Sequence, residues 1–135
     1  YKPLVICDVG HNEEGIRLLA AEIAKLRLNA YFVLGFVSDK DLDSIIPLLP
    51  PARFIALVKP EVIRGMHATE AQKSFQKHGV ETSTYANLQD ALETTYEQIQ
   101  KNDALDKSLL FIGGSNFLVA DLLLLKRQHK LPWKK

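Results

Sequence analysis

The chain has 135 residues, 47% of them apolar, which is enough to fill one core and too little chain for two. Its 17 Lys and Arg against 16 Asp and Glu leave a formal charge of +1, so it builds none of the positive field that sequence-independent nucleic-acid binding requires. No apolar stretch approaches the roughly 20 residues that span a bilayer, and the first residues lack the basic-then-apolar layout of a signal peptide.

Residues 4–7 form a short apolar run that reads as a core strand, entered from Tyr1 without a cap or turn, as in a fragment of a longer chain. Its Cys7 is the only cysteine. That excludes an internal disulfide and predicts a buried, inert thiol in a soluble protein of the reducing cytoplasm. After a polar loop, Ile16, Leu19, Ala20, Ile23 and Leu26 recur at helical spacing. Residues 31–37 are rich in β-formers and predict a second strand; beyond Ser38-Asp39-Lys40-Asp41, Leu42, Ile45 and Ile46 predict a short helix that stops before Pro47. Residues 53–58 make a third strand, 68–77 a helix with Gly79 at its C-terminal edge, and 80–85 a weaker fourth strand. Asn87 reads as the N-cap of a helix running to about Gln100, with Asp90 three positions on. A fifth strand at 109–112 leads through Gly113-Gly114-Ser115-Asn116 into an apolar helix ending near Leu125, and a last strand or tail lies around 131–133. Strands alternating with helices in this way predict one α/β domain over 1–135, a Rossmann-like, doubly wound, mostly parallel sheet covered on both faces.

In such a sheet ligands bind above the C-terminal edge, so the polar residues just after the strands are the candidates. Asp8 to Asn12 places an acid, a histidine and an amide around Gly10. Asp8 can accept from ribose hydroxyls or an ammonium, His11 can bond a carboxylate or move a proton, and Asn12 can cap the next helix. A turn in which Asp8 and Asn12 bond only backbone is the competing account. Glu13 and Glu14 fall in the first helical turn, where acids complement the dipole and repel a phosphate, and read as structural. Asp39 and Lys40 follow the second strand, either facing the same edge or lying in a solvated loop with Ser38 or Asp39 as cap. Arg64 is a guanidinium that can clamp a carboxylate with two parallel bonds, or an ordinary surface arginine. Gly113 to Asn116 joins backbone freedom, a hydroxyl and a helix N-terminus without an acid beside it, suiting a carboxylate or phosphate; taken alone, a strand-to-helix turn with Ser115 or Asn116 as N-cap is the preferred account. Neither a G-x-G-x-x-G fingerprint nor a G-x-x-x-x-G-K-[ST] phosphate loop is present. His67, His78 and His129 lack metal-site spacing and read as surface residues, Tyr96 and Ile99 read as a core-facing helix stripe, and the basic tail as a solvated end.

Taken together these motifs resemble the C-terminal domain of the Mur ligase superfamily, in its folylpolyglutamate synthase and dihydrofolate synthase branch. Cys7-Asp8-Val9-Gly10-His11-Asn12-Glu13-Glu14-Gly15 is similar to that family's Asp-Gly-Ala-His-Asn-Pro-x-Gly, with Val9, Gly10 and Glu13 where Gly, Ala and Pro are usual. Leu34 to Asp41 resembles Gly-x-x-x-Asp-Lys-Asp, Pro60 to Gly65 a Pro-Arg-Ala-like element with Arg64 as its arginine, and Gly113 to Phe117 a Gly-Ser-Leu-Tyr/Phe element.

The resemblance implies an ATP-dependent, amide-forming ligase in which glutamate attacks an acyl phosphate of folate or dihydropteroate. It implies that an N-terminal ATPase domain of the same enzyme holds ATP and Mg2+, and that this domain closes over it. Asp8 would then contact the nucleotide ribose or help orient glutamate, while His11, Arg64 and Ser115 hold glutamate, with Asn12, Asp39 and Lys40 in support. The alternative is a non-catalytic α/β module for a nucleotide or a partner protein. Its receiver-like form fails, because Lys59 stands after the third strand where an Asp is needed and Gly113 after the fifth where a Lys is needed.

Overall fold

The computed structural model describes residues 3–8 and 13–134. Its strands are β1 (Leu4–Asp8), β2 (Asn29–Leu34), β3 (Phe54–Leu57), β4 (Ser83–Thr84) and β5 (Ser108–Gly113), and its helices α1 (Glu13–Leu26), α2 (Leu42–Ile45), α3 (Ala68–Lys77), α4 (Leu88–Asn102) and α5 (Asn116–Arg127). The strands lie in the order β1-β5-β2-β3-β4, every pair parallel.

Side chains alternate across a strand, so each central strand feeds two cores. From β2, Phe32 and Leu34 join Ile23 of α1, Leu42 of α2 and Phe75 of α3, while Tyr31 and Val33 join Leu92 and Ile99 of α4 and Leu118 and Leu122 of α5. Likewise β5 sends Leu109 and Phe111 to the first face and Leu110 and Ile112 to the second. Phe32 and Phe111 meet edge to face, 5.6 Å between centroids, the arrangement the ring quadrupoles favour. Each such side chain contributes roughly 1.5–3 kcal/mol by leaving water, which commits both central strands to this register.

The sheet is doubly wound as the alternation predicts, with α1 to α3 on one face and α4 and α5 on the other. The chain therefore leaves β2 toward one face and the adjacent β5 toward the other. A crevice opens between those two strand ends, the switch point where ligands of open α/β sheets bind.

Several boundaries differ from the sequence pattern. The second strand covers 29–34 rather than 31–37, because residues 35–37 leave the sheet and Val37 forms an antiparallel bridge with Gly65. The helix after it stops at Ile45, before Pro47 as the pattern predicts, and a separate 3-10 turn, Ile46–Leu48, follows with Pro47 near its start, where the missing N–H costs nothing. The cap of α2 is Asp41, not Ser38 or Asp39; Ser44 N donates to Asp41 Oδ1 at 3.3 Å and Ser44 Oγ to Oδ2 at 2.6 Å. The fourth strand shrinks to two residues at the sheet edge, and residues 132–134 form a 3-10 turn over buried Leu131 instead of a strand. Cys7 is exposed rather than buried, since β1 is an edge strand. Its apolar surroundings still raise the thiol pKa, with Lys126 pulling the other way. Ile99 is buried as expected, whereas Tyr96 is half-buried and Thr95 takes the core position, its hydroxyl donating to Ala91 O at 2.7 Å.

Candidate functional site

The cleft at the β2/β5 switch point has a volume of about 510 Å³ and is lined by Glu13 of α1, Val37, Asp39 to Asp41, Arg64, and Gly114 to Phe117. Three loops build it. The first follows β5, whose Gly113 carbonyl accepts from Gly35 N at 3.1 Å. Gly114 then turns the chain at φ +104, a conformation few residues other than glycine adopt, and a Cβ there would stand 2.6 Å from Gly35 O.

That turn delivers Ser115 to the N-cap of α5. Ser115 is buried, and its Oγ accepts from Leu118 N at 3.1 Å. Used as an acceptor, the hydroxyl keeps its hydrogen to donate outward. No acid sits in the first turn of α5, so its open N–H groups and dipole favour an anion. The helix N-terminus across the cleft differs, with Glu13 and Glu14 in its first turn.

The second and third loops are joined to each other. Ser38 N donates to Arg64 O and Met66 N to Phe36 O, both at 2.7 Å. This double stitch brings Lys40 and Arg64, 24 residues apart in sequence, into the lining of one cleft. Lys40 lies half-buried, and desolvation lowers its ammonium pKa, opposed by Asp39. The Arg64 loop is further held by Glu61 N donating to Asp121 Oδ2 of α5 at 3.0 Å and Lys59 Nζ to Val62 O at 3.3 Å. Arg64 itself is exposed, with its guanidinium carbon 5.8 Å from the Phe117 ring centroid.

Of the residues singled out in the sequence, Arg64, Ser115, Asp39 and Lys40 therefore come together around one cleft. Asp8 ends β1 in register with Gly113, one strand away, and is half-buried. His11 and Asn12 lie outside the described residues. Two lining residues escaped the sequence reading. Glu13 had been assigned to helix-dipole chemistry alone but faces the cleft; Phe117 carried only the signal of closing the Gly-Ser motif. His67, His78 and His129 are surface residues as expected.

Chemically, the cleft offers a guanidinium, an ammonium, a hydroxyl donor and a helix N-terminus, with carboxylates at Glu13, Asp39 and Asp41. This suits a ligand carrying both carboxylate and ammonium groups. Among the described residues no three His, Cys, Asp or Glu side chains gather as a metal site, and no helix is long and apolar enough to cross a membrane.

Fold and cleft together define a doubly wound α/β domain with an anion-suited cleft at its switch point. Residues 1–106 match the family described as Mur ligase, glutamate ligase domain, and the chain belongs to that family. The dihydrofolate synthase/folylpolyglutamate synthase of Buchnera aphidicola subsp. Baizongia pistaciae is 26% identical over 124 residues, covering 90% of this chain and 28% of that protein. The bifunctional folylpolyglutamate synthase/dihydrofolate synthase of Yersinia pestis, complexed with AMPPNP and a Mn ion, superposes with a TM-score of 0.70 at 25% identity over 94% of this chain and 29% of that one. The Mycobacterium tuberculosis folylpolyglutamate synthase complexed with ADP reaches 0.80 at 22% identity, over 90% of this chain and 29% of its own, a likeness of fold. The chain thus spans less than a third of the length of these relatives.

Proposed function

We propose that this chain is the glutamate-presenting domain of a two-domain, ATP-dependent ligase that joins glutamate to folate or dihydropteroate through an acyl phosphate. The observation that carries the reading is the convergence of Arg64, Lys40 and the Ser115 helix start on one cleft at the switch point. In this reading Arg64 and the α5 N-terminus hold the two carboxylates of glutamate, Ser115 donates to one of them, and His11, assigned on its sequence motif, is a further glutamate ligand. Asp39 and Glu13 accept hydrogen bonds from the substrate ammonium. Holding the amine in line with its electrophile supplies much of the rate of such a step, because orientation replaces a bimolecular encounter.

ATP and Mg2+ belong to the reading through the relatives, of which the Yersinia enzyme is solved with a nucleotide analogue and Mn. The residues described do not fit the task of gripping them: the sequence has no phosphate loop, and among the described residues no three His, Cys, Asp or Glu side chains are placed to hold a metal ion. Asp8, at the end of β1, suits a ribose hydroxyl and little more. We therefore assign the phosphates and the metal to an N-terminal ATPase domain, over which this cytoplasmic domain closes. Ligation measured for the 135-residue chain alone and for the two-domain enzyme tests this division of labour. The chain alone is expected to give no turnover with folate, glutamate and Mg-ATP; turnover above background would contradict it.

A further inference from the structure

Arg64 is a long, exposed cation in a cleft that also contains three carboxylates, Glu13, Asp39 and Asp41. It pairs with none of them, and its guanidinium lies over the face of Phe117, 5.8 Å from guanidinium carbon to ring centroid. That is within the roughly 6 Å over which a ring face attracts a cation. The choice of partner matters, because a carboxylate would neutralise Arg64 and consume its N–H donors, whereas a ring face takes up charge and leaves all five donors for a ligand.

The backbone at Arg64 is fixed on both sides. Its carbonyl accepts from Ser38 N, and the next residue is a glycine so enclosed that a Cβ would stand 2.5 Å from Pro60 O. What remains free is the side chain, and Phe117 meets it from the first turn of α5, the turn whose cap is Ser115. The ring thereby links the two anion-binding elements of the cleft.

We propose that Phe117 is a positioning residue: it holds the Arg64 guanidinium against the cleft wall with its donors unspent, and so sets affinity for the substrate carboxylate. This rests on the glutamate reading above. The test is a double-mutant cycle in the two-domain enzyme, with glutamate and ATP varied separately. Phe117→Leu raises the glutamate KM roughly two- to fivefold, the range expected for an exposed cation–ring contact, with kcat and the ATP KM within about twofold of wild type. Phe117→Tyr restores the wild-type value. Phe117→pentafluorophenylalanine keeps the ring shape while reversing its quadrupole; it covers the case in which the leucine variant fails to fold, and matches the leucine effect. In an Arg64→Ala background each change at 117 adds nothing.

If Arg64→Ala raises the glutamate KM but both ring variants stay at wild type, the positioning role is wrong and the glutamate site stands. If the ring variants cost as much without Arg64 as with it, Phe117 acts by packing and the proposal falls. If Arg64→Ala leaves the glutamate KM unchanged, the glutamate reading fails and this one with it.

Discussion

Gly114 is the hinge on which β5, α5 and the cleft all turn, and Gly114→Ala should unfold the domain more readily than any comparable methyl addition. Two costs act there. At φ +104 an alanine is strained by about 1–2 kcal/mol, and its Cβ would lie 2.6 Å from the Gly35 carbonyl and 2.9 Å from the Phe36 ring. Neither neighbour can yield cheaply, since Gly35 N is bonded to Gly113 O and Phe36 is buried; forcing such a contact costs about 1–3 kcal/mol. The sum, roughly 2–5 kcal/mol, is a large part of the 5–15 kcal/mol that holds a typical domain together. Gly79 supplies the control. It too has positive φ, +72, but nothing lies within 4 Å of its Cβ position, so Gly79→Ala should show only the strain, about 1–2 kcal/mol. Urea unfolding of both variants isolates the steric part as their difference. If Gly114→Ala were no less stable than Gly79→Ala, the close approach of the two loops would be wrong.

Tyr31 donates to Asp103 Oδ2 at 2.5 Å beneath the sheet, where Asn29 and Arg53 also meet that carboxylate. Tyr31→Phe should cost about 1.5–3 kcal/mol at neutral pH, as for a hydrogen bond to a charged group. Burial first, then the Asp103 bond, raises the phenol pKa, so this stabilisation is fully present below about pH 10 and is lost as pH rises through the raised value; unfolding curves at increasing alkaline pH should show the gap between wild type and variant closing. Asp43 joins α2 to α3 through Lys77 and His78, both at 3.1 Å. The Lys77 bond, then the His78 bond, holds its carboxyl below the usual range, so Asp43→Asn should lower the melting temperature near neutrality. That deficit should disappear as pH falls through the depressed value, and an undiminished deficit in strong acid would exclude an electrostatic cause. Calorimetry of the chain with ATP should give binding weaker than micromolar; tight binding would mean that the nucleotide is held here after all.

The doubly wound class was legible because its signals are local: β-branched runs, helical spacing at Ile16 to Leu26, and turn residues between them. What periodicity could not show was where strands end. Residues 35–37 look like strand because Phe36 and Val37 continue the apolar run, yet Val37 pairs with Gly65, a non-local choice invisible to pattern. Cys7 misled for a related reason, since an apolar run does not say whether its strand is central or at an edge. Arg64, Lys40 and Ser115 were found because each follows a strand and the sheet edge gathers such positions. Glu13 and Phe117 were not, because each already had a sufficient local role at a helix start.

Steady-state kinetics of the two-domain enzyme, with glutamate and ATP varied in turn, tests whether the switch-point cleft holds glutamate. His11→Ala, Arg64→Ala and Ser115→Ala are each expected to lower kcat/KM for glutamate about tenfold to a hundredfold, the worth of one charge-assisted contact, with Arg64→Ala the most severe and ATP parameters little changed. Ser115→Thr, which keeps the capping oxygen, separates the loss of a ligand contact from the loss of the α5 cap. Wild-type glutamate parameters in all three alanine variants would contradict the claim.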